Sequence, residues 1–334
     1  MINNQFIGRL KGLKLELDLK IGALDTDIKS LKKAARQAIS PEILKRIEQI
    51  KKNGQIDLKN DFKIYWNNFP IATLIPGKNY LKPEIKLIID DMIDNDDQLK
   101  LIEYLNKWIN EKINHDLKNL IDLKNIKETN TSIRALAYQL YENNGVLKRD
   151  NIINFIKFLS QDERKILRAL GVKFGRYHVF LHRLFKPNAV SLRVLLWKNF
   201  HQKYLTLEPP KFGLNFFEDK KNINPSFMLI CGFENFDKYY IRIDILERLF
   251  LKIIESNQNK DIKLNSEMLN LLGCNKSDFI KLIQKMSYKT FTKDNDLYFK
   301  YFPDKKIKKQ FISKKNYKIN NDNPFNALRK MNLK

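Results

Sequence analysis

Apolar residues recur every three or four positions through the middle of the chain and every second position towards its ends. Ile102, Leu105, Ile109, Ile113, Leu117 and Leu120 make one stripe on a long helix that Asp94 or Asn95 can cap. Ile133, Leu136 and Leu140 predict a second helix, ended by Asn144-Gly145, and Ile152, Phe155, Ile156 and Leu159 a third. Ser160 to Glu163 spell a capping box for a fourth, which stops at Gly171. VKFGRYHVFL (172–181) reads as extended, and Pro187-Asn188 opens a helix to about Tyr204. Nearer the start, residues 8–19 alternate like a strand. A helix is predicted over Asp25 to Lys52, with Ser40-Pro41 restarting it. Phe62, Ile64 and Trp66 alternate, Asn67-Asn68 turn, and Ile71 to Ile75 return as a hairpin.

Residues 240–302 carry the clearest architectural pattern. Asp244 can cap a helix ending near Glu255. Asn265 or Ser266 caps a short helix broken by Gly273, and Asn275 or Ser277 opens a third with Phe279, Ile280, Ile283 and Met286. Two alternating strands follow around Asp294-Asn295-Asp296. Three helices and a hairpin is the order of a winged helix, although unrelated small domains also use it. The fold class is α+β, mainly α, with segregated small hairpins and a winged-helix-like C-terminal module. Four segments are expected: 1–83 mixed, 84–213 helical and basic, 214–303 winged-helix-like, and 304–334 a basic, disordered tail. No internal repeat shows in the sequence.

Charge narrows the partners. Lys and Arg outnumber Asp and Glu by 62 to 38, a net charge of +24, which points to a polyanion: nucleic acid first, an anionic membrane surface second. Lysine-rich composition also follows from AT-rich coding, so location matters more than total. Residues 131–213 carry a net +10 and residues 304–334 a net +8, together 18 of the 24 excess charges. No apolar run nears the length of a membrane span, and MINNQFIGRL lacks the apolar stretch of a signal peptide. With two cysteines, Cys231 and Cys274, in no metal-binding spacing, a cytoplasmic protein with reduced thiols is expected.

Catalytic signatures are missing from the sequence. A phosphate-binding P-loop needs glycines five apart followed by Lys and Ser or Thr, and no two of the eleven glycines have that spacing. Asp90, Asp91, Asp94, Asp96 and Asp97 read as an acidic helix start rather than a cation site. His178 and His182 are four apart, but in an extended segment without a third ligand. No independent ATPase, catalytic residue, metal or cofactor is expected.

Binding residues stand out instead. Lys173, Arg176, Tyr177, His178, Arg183 and Lys186 interleave cations with rings, the mixture that tracks phosphates and stacks bases of a single strand. On the next helix Arg193 and Trp197 share a stripe with His201 and Tyr204, either a stacking face or half of a core contact. Arg193 is the stronger candidate, since unpaired cations seldom bury. Lys281 and Lys285 on the last helix, with Lys289 in the hairpin, would suit a recognition helix and a basic wing.

RALAYQLYENNGVLKRDNI and LRALGVKFGRYHVFLHRLFKPNAVSLRVLLW resemble the C-terminal, non-motor region of alphaproteobacterial superfamily-two DExH helicases related to the mitochondrial degradosome RNA helicase. QFIGRLKGLKL, IYWNNFPIATLIPGKNYLKPEIKLIIDD, YIRIDILERL, LNLLGCNKSDFIKLIQKMSYK and NPFNALRKM match in the same order, so the resemblance runs over nearly the whole chain. It implies accessory domains that help hold the strand being unwound, beside a two-lobed motor whose phosphate loop and DExH box have no counterpart here. ATP and Mg would then act only through a motor in cis or, if the gene is split, in a separate chain. The expected partners are single-stranded or partly duplex RNA or DNA, with no membrane. The alternative is a free-standing winged-helix DNA-binding regulator.

Overall fold

Asn67 and Asn68 both lie at positive φ, 46° and 65°, the pair a type I′ hairpin turn requires. The expected hairpin therefore forms, and it grows into a sheet. A computed structural model describes residues 8–17, 25–53, 55–89, 93–127, 130–219, 223–256, 261–294 and 296–302. The expected tail at 304–334 and Asp90 and Asp91 lie outside them.

β1 (Gly8–Lys11) and β2 (Lys14–Leu17) pair antiparallel. The single strand expected here folds back on itself because Gly12, at φ 57°, turns the chain. α1 (Asp25–Asn53) runs through Pro41 without the expected restart. β3 (Ile56–Leu58), β4 (Lys63–Trp66), β5 (Phe69–Asn79) and β6 (Lys82–Leu87) form an antiparallel sheet in chain order. α2 (Asn95–Asp116) buries Leu101, Leu105, Ile109 and Ile113, so Leu101 rather than Ile102 heads its stripe. Leu117 interrupts the helix, and α3 (Lys118–Lys124) continues the stripe with Leu120.

α4 (Thr131–Glu142) is capped by Asn130, whose side chain accepts from the Ser132 N–H. β7 (Val146–Lys148) and α5 (Arg149–Phe158) follow. α6 (Gln161–Ala169) has both halves of the expected capping box, Ser160 and Glu163. It stops at Gly171, where φ is 91°. β8 (Val172–Phe174) and β9 (His178–Leu181) make a hairpin from the extended segment. α7 (Pro187–Phe200) ends before the expected Tyr204, which sits in a short 3₁₀ turn. β10 (Phe216–Glu218), α8 (Pro225–Ile230), β11 (Phe233–Phe236), β12 (Tyr239–Arg242) and α9 (Ile243–Glu255) come next. β13 (Ile262–Lys263), α10 (Ser266–Leu272), α11 (Lys276–Lys285), β14 (Tyr288–Lys293) and β15 (Asp296–Tyr301) close the described chain. The fold is α+β and mainly α.

The topology repeats where the sequence does not. α4–β7–α5–α6–β8–β9 builds a sheet in the order β7-β9-β8, and α9–β13–α10–α11–β14–β15 builds one in the order β13-β15-β14. Between them, α7–β10–α8–β11–β12 gives β10-β12-β11 with one helix fewer. In each the last strand enters between the first two.

The chain divides into two units, Met1–Leu251 with Leu271–Gly273, and Lys252–Asn270 with Cys274–Lys334. The division falls within α9 and coincides with neither of the expected boundaries at 83/84 and 213/214. One apolar cluster from Leu13 to Leu196 runs through the four-stranded sheet and the helices beside it, which ties residues 1–83 to the helical segment after them. A second cluster joins α7 to α8 through Val194, Trp197, Phe227 and Met228. In the second unit, Phe279 on α11 meets Phe299 on β15 edge-on, with ring centroids 5.8 Å apart, over Leu282, Ile283 and Tyr288.

Candidate nucleic-acid interface

The turn between β8 and β9 is held by one carboxylate. Glu247 of α9 accepts from three successive backbone N–H groups, those of Arg176 (2.5 Å), Tyr177 (2.9 Å) and His178 (2.8 Å). Arg149 supports the same turn: its N–H donates to the Tyr177 carbonyl and its guanidinium to the Gly175 carbonyl at 2.5 Å. Below the turn, His178 Nε2 bonds Glu234 Oε2 at 2.8 Å, and Lys148 Nζ bonds the other Glu234 oxygen at 2.7 Å. Burial alone would lower the His178 pKa, but hydrogen bonds and charge from Glu234 and Glu247 outweigh it and raise the value. Burial likewise opposes ionisation of Glu234, yet His178 and Lys148 hold its pKa below the ordinary range.

Above this clamp lies a basic groove made of two adjoining clefts, about 350 and 290 Å³, that share His182, Asp244 and Arg248. Lys173, Arg176, Phe174 and Phe250 line the first, and Lys186, Lys211, Phe212 and Arg242 the second. The two acidic residues on the lining are already engaged. Glu247 serves the turn, and Asp244 accepts from Arg242 Nε and Nη2 at 2.6 and 3.0 Å. Asp244 therefore lies in the first turn of α9 and does not cap it as expected. Among the described residues, Lys173, Arg176, Lys186, Lys211 and Arg248 have no carboxylate partner. His182 registers the positive field: burial first, then the charges of Lys173, Arg248 and Lys186, lower its pKa, with Asp244 opposing. The Arg176 guanidinium lies 5.7 Å from the Phe250 ring centroid, and Phe212 is 61% exposed.

The groove gathers three of the sequence-predicted residues, Lys173, Arg176 and Lys186. Arg183 is exposed but outside the lining. Tyr177 is half-buried, its ring edge-on to Phe236 and Phe250. Three expectations are corrected. His178, 2% exposed, is spent on Glu234 and belongs to the clamp. Arg193 is fully buried and donates to the Asn144 and Ile230 carbonyls at 3.0 and 2.6 Å, so backbone acceptors rather than a carboxylate let this cation bury. Trp197 is 6% exposed, stacked on Tyr204 at 5.1 Å and packed on Phe227, so its stripe is core. Sequence reading missed Arg149, Lys211, Phe212 and Arg248, and it placed His182 in the interleaved segment without choosing it as a site residue.

In the second unit Lys281, Lys285 and Lys289 are all exposed but do not share a surface. α11 covers one face of the sheet, and Lys289 stands on the other. The cysteines are free, Cys231 buried with its thiol pushed up to about 12 by burial, and Cys274 half-buried. Among the described residues no helix is long and apolar enough to cross a membrane, and no group of His, Cys, Asp and Glu is arranged to hold a metal. Comparison with protein families, curated proteins and solved structures finds no match to this chain.

Proposed function

We propose that this chain is the nucleic-acid-binding accessory half of an ATP-dependent RNA or DNA helicase, working with a motor in cis or in trans. The observation that carries nucleic-acid binding is the groove: five cations without carboxylate partners line its two clefts beside Phe174, Phe250 and Phe212, and three of them, Lys173, Lys186 and Arg248, act on His182. Cations of this kind take phosphates by releasing counterions, and rings at their side take bases. The clamp beneath fixes the backbone that carries Arg176 before a ligand arrives, which lowers the ordering cost of binding. The helicase assignment rests on the sequence resemblance, and ATP and Mg enter only through the motor.

The test is fluorescence anisotropy of the purified chain with single-stranded RNA, single-stranded DNA and duplex across a salt series. Salt-steep binding that weakens in Lys173→Ala/Arg248→Ala supports the reading. Absence of binding at low salt overturns it. A second reading, a free-standing winged-helix DNA-binding regulator, is favoured by the order α9–β13–α10–α11–β14–β15 with Lys281 and Lys285 exposed on α11. It predicts sequence-specific duplex binding lost in Lys281→Ala/Lys285→Ala.

A further inference from the structure

The sheet of the second unit has two unlike faces. Cross-strand partners share a face, so Tyr288–Tyr301, Thr290–Phe299 and Thr292–Leu297 form one, and Lys289–Lys300, Phe291–Tyr298 and Lys293–Asp296 the other. The first is the core face. Tyr288, Leu297 and Phe299 are buried there, and Gln284 of α11 bonds Thr290 across it. No described element covers the second.

That open face carries aromatic rings where a solvated sheet would carry polar groups. Phe291 and Tyr298 lie side by side across the strands, near-parallel at 16° with centroids 5.8 Å apart. Phe291 is 37% exposed. Phe302 continues the row, 55% exposed, with the Lys289 ammonium 4.0 Å from its ring centroid. Lysines flank the rings. Lys263, opposite Tyr298, is paired with Asp296, and Lys300 lies 3.6 Å from Asp261. Lys289 and Lys293 have no carboxylate partner among the described residues.

We infer that this face is a second binding site, a stacking platform for unpaired bases of single-stranded nucleic acid, with Phe291 and Tyr298 taking the bases and Lys289 and Lys293 the phosphates. The ligand must be single-stranded, because a platform of rings reaches base faces only when they are not stacked in a duplex. An acidic peptide would match the lysines and leave the rings without a role. The site takes the same class of ligand as the groove and rests on that reading, but it lies in the other unit and stands on separate residues.

The test uses the full chain with labelled oligouridine, an abasic strand of the same length, and oligouridine carrying a base analogue whose fluorescence is quenched by stacking. Phe291→Ala/Tyr298→Ala should weaken oligouridine binding about tenfold, abolish much of the quenching, and leave both the abasic affinity and the salt slope unchanged. Phe291→Trp/Tyr298→Phe, which keeps both rings, should retain binding. Lys289→Ala/Lys293→Ala should instead reduce the salt slope on both strands. Wild-type affinity and quenching in the ring-deleted variant overturn the platform while leaving the groove intact, which Lys173→Ala/Arg248→Ala then reads separately. Equal losses on oligouridine and the abasic strand also overturn it. No binding by the unaltered chain overturns both readings.

Discussion

Glu247 occupies the space that a side chain at Gly175 would need: a Cβ at position 175 would lie 2.3 Å from the Glu247 Cδ and 2.4 Å from Oε2. Glycine at this turn is therefore a matter of room. It lets α9 bring a carboxylate onto three backbone donors at once. Gly175→Ala should push the two apart and cost about 2 kcal/mol, as overpacking does. Glu247→Ala should leave those donors without an acceptor and cost about 3 kcal/mol. Urea unfolding of the two variants measures both, and an unchanged midpoint for either would show that the clamp contributes little.

The His178–Glu234 pair sets a pH optimum for stability. His178 has its folded pKa raised above the ordinary 6.5, so its contribution is complete below 6.5 and is lost as pH rises through the folded value. Glu234 has its pKa lowered from 4.5, so its contribution is complete above 4.5 and is lost as pH falls through the folded value. Stability from the pair should peak between about pH 4.5 and 6.5. His178→Gln should flatten the alkaline decline. Unfolding free energies across pH 4 to 9 check this, and an equal alkaline slope in the variant would assign the decline to other groups.

Arg193 should behave as a structural residue. Its guanidinium is enclosed, burial lowers its pKa, and its acceptors are the Asn144 carbonyl in the turn after α4 and the Ile230 carbonyl that ends α8. Arg193→Ala should cost about 3 kcal/mol or more, because it opens a cavity and strands two buried carbonyls. Thermal denaturation reads the cost. If the variant keeps its melting temperature and loses only oligonucleotide binding, the residue contacts the strand after all.

Most of the helices from residues 95 to 200 were legible because they obey local rules: a 3.6-residue stripe, a capping box at Ser160 and Glu163, a glycine stop at Gly171. The expected cap at Asp94 makes no side-chain bond, and the Asn130 cap of α4 was not foreseen. The groove was half legible. Lys173, Arg176 and Lys186 announce themselves by interleaving cations and rings within one segment. Arg248 could not be found that way, because it reaches the groove from α9, and only tertiary packing brings that helix to β8. Arg193 and Lys186 look alike in sequence. What separates them is the pair of carbonyls from Asn144 and Ile230, which no local pattern records. The roles of Glu234 and Glu247 were hidden for the same reason, since Glu234 is 56 residues from His178 and Glu247 is 70 from Tyr177.

His182 supplies a direct readout of the groove. It is close enough to Lys173, Arg248 and Lys186 for their charges to lower its pKa beyond the effect of burial. Removing two of those charges in Lys173→Ala/Arg248→Ala should move the His182 pKa upward. Binding an oligonucleotide to the unaltered chain should also move it upward, because a phosphate among the three cations favours the imidazolium. The same double variant should reduce the magnitude of the logarithmic salt slope by about 1.4, at about 0.7 for each of two lost phosphate contacts on a single strand. Imidazole resonances followed by NMR through a pH titration, free and bound, check the first pair of shifts, and anisotropy checks the third. An upward shift in the variant without one on binding would mean that the cations surround His182 but the strand runs elsewhere. All three together would place a phosphate between β8 and α9.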